Sequence, residues 1–142
     1  MRAREYLGQI RKIDHKINSN LAEIYRLKAM AVSISIEPKG DKIKSSGSKD
    51  SLGDAVAKIC DLEKEVEAEV DNYIAARKEI ISKIESIENI DYRDVLTERY
   101  VLCKAFDNIY ENINMSRRKM FYTHKMALEF FENVYKDELE KM

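Results

Sequence analysis

Apolar residues recur at steps of three and four from Leu7 through Ile10, Ile13, Ile17, Leu21, Ile24 and Leu27. The mean step lies close to 3.5, the period of a helix that buries one seam in a coiled coil. This predicts a first long helix ending before Ser33. Residues 33–50 hold Pro38, Gly40, Gly47 and five serines, a composition expected of a flexible linker. A second stripe then runs through Leu52, Val56, Ile59, Leu62, Val66, Val70, Tyr73, Ile80, Ile84 and Ile87, interrupted by Arg77. It predicts a helix of about 37 residues, roughly 55 Å long. An antiparallel hairpin of the two helices over residues 1–88 follows. The second helix outruns the first, so the apolar surface near Ile80, Ile84 and Ile87 is expected to cover the C-terminal domain or a second subunit.

Beyond Ile87 the pattern shortens into a separate domain, residues 89–142. Asn89-Ile90-Asp91 breaks the stripe, and Asp91 is expected to cap a third helix with Val95, Leu96, Tyr100 and Val101 on its buried face. A short fourth helix is expected from Ala105 to Asn112, turning Phe106, Ile109 and Ile113 inward. After a break at Asn114, a fifth helix opens on Ser116 and runs into a tail, Tyr135 to Met142, that should fray. The predicted fold is therefore all-α: a long antiparallel coiled-coil hairpin followed by a three-helix, helix-turn-helix domain.

Four Gly, one Pro and no Trp suit an all-helical chain. No apolar run approaches the roughly 20 residues of a membrane span, and Met1-Arg-Ala-Arg-Glu-Tyr lacks the apolar core of a signal peptide. Cys60 and Cys103 have no paired spacing and are expected as free thiols of a cytoplasmic protein. The net charge of −1 conceals segregation. Residues 1–30 carry seven Lys/Arg against three acids, and residues 51–90 carry five against ten. That complementarity favours pairing of the two long helices. Between Ser116 and Met126 there are four cations and no acid. Positive charge is thus local, unlike that of a uniformly basic nucleic-acid binder.

Projected at 100° per residue, the last helix separates two faces. Met120, Thr123, Ala127 and Phe131 form an inward set, with His124 also turned toward the buried side. Arg118, Tyr122 and Lys125 point outward, flanked by Lys119 and Phe121, and Arg117 sits at the N-terminal shoulder. Such a helix can enter the major groove. There Arg and Lys donate to guanine acceptors, and Phe121 or Tyr122 can touch a thymine methyl. Ser116 caps the helix and can donate to phosphate. The same residues also suit a solvated surface or a protein-binding patch, and His124 suits a structural role.

Several short motifs carry a resemblance. Leu96-x-x-Arg99-Tyr100 is followed by Phe106-Asp107-x-Ile109, then by Ser116-x-Arg118 and His124-x-x-Ala127-Leu128. Residues 93–131 resemble region 4 of sigma-70-type factors. They are closer to the C-terminal part of small phage and prophage proteins related to the ArpU and RinA regulators of late transcription. The Ser45–Asp50 stretch and the Ala55–Glu63 stretch are similar to the N-terminal part of one such family. The resemblance implies sequence-specific binding of double-stranded DNA in phage gene regulation within the bacterial host, with contact to host RNA polymerase. Two positions depart from it: Tyr110 stands where a small residue is usual, and Asn114 replaces the turn glycine.

An enzyme is not expected. The chain has no Gly-rich phosphate loop, no paired Cys or His for a metal and no nucleophile with a recognisable base, so no cofactor or metal is implied. The rival to a DNA-binding regulator is a non-enzymatic interaction module, in which the coiled hairpin binds host RNA polymerase or inhibits a host or defence protein. A two-fold homodimer fits either reading.

Overall fold

The computed structural model describes residues 1–36 and 45–142, with side chains over 1–33 and 51–142. Among them there are helices and turns and no strand: α1 (Ala3–Leu7), α2 (Gln9–Ile36), α3 (Ser45–Glu85), α4 (Ile90–Leu96), α5 (Arg117–Val134) and α6 (Lys136–Glu140). A π-helical turn, Thr97–Val101, prolongs α4, and a 3₁₀ turn spans Phe106–Asn108. The all-α reading holds. Helix extends further into the expected linker than its composition suggests, to Ile36 on one side and from Ser45 on the other. Residues 37–44, with Pro38 and Gly40, lie outside the described residues.

Contacts divide the chain into two units, Met1–Ile13 with Tyr73–Met142, and Asp14–Asn72. The division falls inside α2 and α3, not near residue 88 where the sequence pattern changes. Asp14–Asn72 is a pair of antiparallel helices. Lys16 Nζ meets Glu69 Oε1 at 2.8 Å and Lys28 Nζ meets Glu63 Oε1 at 3.3 Å, so positions on α3 descend as those on α2 ascend. Ile24, Leu27 and Ile59 are buried between them, with Leu62 and Val66 packed alongside. The two cross-helix ion pairs are exposed, and burial of this seam carries the association.

The other unit explains the displaced boundary. Ile80, Ile84 and Ile87 are 0, 1 and 3 % exposed. They share one core with Leu7 and Ile10 from the N-terminal end and Phe131 from α5. The apolar surface left over by the longer helix is thus covered within the chain, and none of these three residues remains for a second subunit. Tyr6 stacks on Phe131 with ring centroids 5.9 Å apart. Gly8 bridges α1 and α2 where a Cβ would stand 3.0 Å from the Arg4 carbonyl oxygen, a close approach that glycine permits.

Three local expectations are corrected. The cap of α4 is Asn89, whose side chain accepts from the Tyr92 N–H at 3.2 Å, and Asp91 lies in the first turn. The expected helix from Ala105 to Asn112 is a 3₁₀ turn followed by hydrogen-bonded turns through Asn114. Ala105 offers no capping side chain there, and so short a segment cannot sustain an α-helix by itself. The C-terminal tail is held as α6: Leu139 is 2 % exposed, and its carbonyl accepts from the Met1 ammonium at 3.0 Å.

The π turn accounts for an oddity of the sequence. Val95 and Tyr100, and Leu96 and Val101, are spaced by five, yet all four are buried. An i+5 bond from the Leu102 N–H to the Thr97 carbonyl, 2.9 Å, widens the helix here; Leu96, Tyr100 and Val101 pack into one core, and Val95 into the neighbouring cluster of Ile109, Met115 and Met120. Cys103 then ends the segment in the left-handed region at φ 54°. Arg77, which interrupts the apolar stripe of α3, donates to the Val101 carbonyl at 3.1 Å and satisfies an orphan acceptor at that helix end.

Candidate nucleic-acid interface

Asn114 sets the direction of α5. It adopts φ 53°, the left-handed conformation that Asn enters more readily than most residues. The Met115 N–H closes the turn on the Tyr110 carbonyl at 3.0 Å. Tyr110, despite its bulk, is accommodated half-buried beside the cluster of Val95, Ile109, Met115 and Met120. Ser116 follows in extended geometry as N-cap, its hydroxyl accepting from the Lys119 N–H at 3.1 Å. The turn and the cap therefore coincide with the residues singled out for them by the sequence.

One face of α5 is locked. Met120, Ala127 and Phe131 are fully buried, and Thr123 and His124 are each 5 % exposed. Tyr100 Oη lies 2.7 Å from His124 Nε2, tying the π turn to the middle of α5. Burial pushes the His124 pKa down to about 4, reinforced by the positive charges of Arg4 and Arg99. Burial likewise raises that of Tyr100. The pair is therefore neutral near pH 7. Phe106 contacts His124 edge-on at 5.0 Å and the Phe121 ring at 5.0 Å, while the Arg99 guanidinium lies 4.0 Å over its face. His124 is a packing residue here.

The opposite face carries the sequence-predicted site. Arg118, Tyr122 and Lys125 are exposed together on the outward side. Tyr122 is 65 % exposed. Among the described residues neither Arg118 nor Lys125 holds a salt bridge. The other two cations have long-range partners that one-dimensional reading missed. Arg117 Nε stands 3.8 Å from Asp107 Oδ1, and Lys119 Nζ stands 3.9 Å from Asp91 Oδ2. Arg117 also lies 5.5 Å over the Phe121 ring, so Phe121 is anchored between Phe106 and a guanidinium. The seven residues accordingly sort into a cap (Ser116), two carboxylate-paired cations, one anchored ring and an open triad of Arg118, Tyr122 and Lys125.

A cleft of about 660 Å³ opens beside the turn, lined by Glu85, Arg93, Asp94, Glu98 and Asn112–Asn114 among others. Three carboxylates against one guanidinium make it unfavourable for phosphate. No group of His, Cys, Asp and Glu with metal-binding geometry occurs among the described residues, and no described helix is long and apolar enough to cross a membrane. Cys60 and Cys103 are both exposed.

No curated protein and no solved structure matches the chain significantly. A family match does cover residues 34–132, from the end of α2 through nearly the whole of α5, so that both the second long helix and the turn–helix segment fall within it. The chain belongs to the family described as "Protein of unknown function (DUF1492)".

Proposed function

We propose that this protein is a sequence-specific DNA-binding regulator of phage or prophage transcription, acting in the bacterial cytoplasm through α5. The observation that carries the reading is the division of α5 into a fully buried face and an open face bearing Arg118, Tyr122 and Lys125 at its N-terminal half. The Asn114 turn and the Ser116 cap start that helix as the second helix of a helix-turn-helix starts, with the 3₁₀ turn Phe106–Asn108 and the turns after it standing where the first helix of such a motif would be. Arg118 reads a base edge, Lys125 and Arg117 meet phosphate, and Tyr122 supplies apolar contact. Arg117 and Lys119 exchange their long carboxylate contacts for phosphate on binding. The near-neutral net charge then limits non-specific affinity, leaving base contacts to provide more of the discrimination.

A second reading is favoured by those same carboxylates. With Asp107 and Asp91 beside two of the four cations, the local field is weaker than the run of charges suggests. In that reading the protein is a non-enzymatic interaction module that docks on host RNA polymerase or another host protein.

Retention of duplex fragments from the genome that encodes the chain, measured at two salt concentrations, separates the two. Selective, salt-sensitive retention that is lost in Arg118→Ala supports the DNA reader. Absence of retention at low salt rejects it in favour of the interaction module.

A further inference from the structure

The flank of α5 that carries Arg117 is joined by cations from two other segments. α1 packs against α5 near its C-terminal end: the Tyr6 ring stacks on Phe131, and the Ala3 N–H donates to Glu132 Oε1 at 3.3 Å. Exposed Arg4 stands between these two anchors in sequence. Its side chain reaches the Tyr100 hydroxyl, the group that holds His124 in the middle of α5. Half-buried Arg99 approaches the same pair from the π turn. Its guanidinium covers the Phe106 ring at 4.0 Å, and that ring meets His124 edge-on at 5.0 Å. Two guanidinium groups thus converge on one neutral tyrosine–histidine pair, and the charge of both helps to hold the His124 pKa down.

No carboxylate answers them. Among the described residues neither Arg4 nor Arg99 holds a salt bridge. The acids around them are engaged elsewhere: Glu98 with Lys104 at 2.6 Å, Asp107 with Arg117, and Glu132 with the Ala3 N–H. Glu5, next to Arg4 in sequence, is exposed and makes no salt bridge among these residues either. Arg99 donates to the Lys104 carbonyl at 2.9 Å, which uses one of the five donors a guanidinium carries. Two like charges brought together without a counter-charge repel. An incoming anion relieves that repulsion and takes up the spare donors. At 100° per residue, Arg117, Phe121 and His124 fall within about 60° of one another on α5, and Lys119 falls on the opposite flank. From Arg117 to His124 the helix rises about 10 Å, which matches about three base-pair steps of one DNA strand. A helix seated in the major groove presents its two flanks to the two phosphate strands. Arg117, Arg99 and Arg4 line the flank that one of those strands would pass.

We propose that Arg4 and Arg99 hold the phosphate backbone of the DNA strand that passes α5 on its Arg117 side, which makes α1 part of the DNA interface. The inference rests on DNA reading by α5. Such contacts position the helix on the duplex without carrying sequence information. Fluorescence anisotropy of the full chain on a retained genomic duplex and on a random duplex, over a series of salt concentrations, tests it. Arg4→Gln is expected to weaken both duplexes alike, about 3- to 10-fold. It also lowers the slope of log K against log salt by about 0.9, the signature of one lost phosphate contact. Arg4→Lys keeps most of the affinity and the slope, because phosphate accepts from an ammonium as well. Lys136→Gln, which removes the same charge from exposed α6, changes neither. A second readout needs no substitution: the duplex slows phenylglyoxal modification of Arg4 and Arg99 in the wild-type chain, followed by peptide mass spectrometry. An unchanged slope in Arg4→Gln, or either arginine left unprotected, on a duplex that the wild type binds overturns the inference and leaves DNA reading by α5 standing. Equal losses in Arg4→Gln and Lys136→Gln overturn it as well, since net charge alone then explains the effect. A wild type that binds no duplex at low salt overturns the DNA reading and this inference together.

Discussion

Tyr100 Oη and His124 Nε2 are 2.7 Å apart in the interior, joining the π-helical end of α4 to the middle of α5. The contact fixes the rotation of α5 about its axis, and with it which residues face outward. Removing the phenol hydroxyl leaves a buried imidazole nitrogen without its partner. Tyr100→Phe is expected to destabilise the fold by about 1–3 kcal/mol in urea unfolding, without loss of helix content at neutral pH.

The same histidine makes stability depend on pH. Its folded pKa is depressed to about 4 from an ordinary 6.5. The unfolded chain therefore takes up the proton first as pH falls. The contribution is constant above about pH 6.5 and is lost progressively toward about pH 4, amounting to about 3 kcal/mol. Unfolding free energies measured at pH 7 and pH 4.5 should show the loss in the wild type and a smaller one in His124→Gln. Identical pH dependence in both proteins would remove His124 as its source.

Asn114 tests the turn. At φ 53° the residue needs the left-handed region. Asn114→Gly should be neutral or slightly stabilising, and Asn114→Val should cost about 1–2 kcal/mol. Thermal unfolding of the two variants side by side checks this, and an equal effect would mean that the left-handed turn is not required.

The caps are separable from the turn. Ser116 accepts from the Lys119 N–H, and Asn89 accepts from the Tyr92 N–H. Ser116→Ala and Asn89→Ala are each expected to cost about 1 kcal/mol, the Asp and Thr replacements much less. Chemical denaturation midpoints at unchanged slope are the measurement.

Arg118 and Arg117 are neighbours with different expected effects on DNA. Arg118→Ala should weaken specific binding by about 1–3 kcal/mol and relax preference at one base pair. Arg117, which shares its charge with Asp107 at 3.8 Å, should when changed to Ala weaken all sequences alike and flatten the salt dependence. Fluorescence anisotropy on matched specific and random duplexes distinguishes them, and equal effects on both duplexes from both variants would contradict the assignment.

Much of α5 was legible from spacing alone. Met120, Thr123, Ala127 and Phe131 are buried where a 3.6-residue period places them, and Ser116 and Asn114 act where their side-chain chemistry suits a cap and a left-handed turn. These are consequences of residues within one or two helical turns of each other, and so the linear pattern determined them. The all-α class and the antiparallel pairing of Lys16 and Lys28 with Glu69 and Glu63 follow from the same periodicity, joined to charge segregation. What only the tertiary structure decided involves partners far apart in the chain. Ile80, Ile84 and Ile87 found their cover in Leu7, Ile10 and Phe131. Arg77 found the Val101 carbonyl, and the Met1 ammonium found Leu139. Arg117 and Lys119 found Asp107 and Asp91 on preceding segments. Apolar periodicity specifies that a face will be buried, but not which surface will cover it. A buried helix end likewise requires a donor without specifying where in the chain that donor comes from.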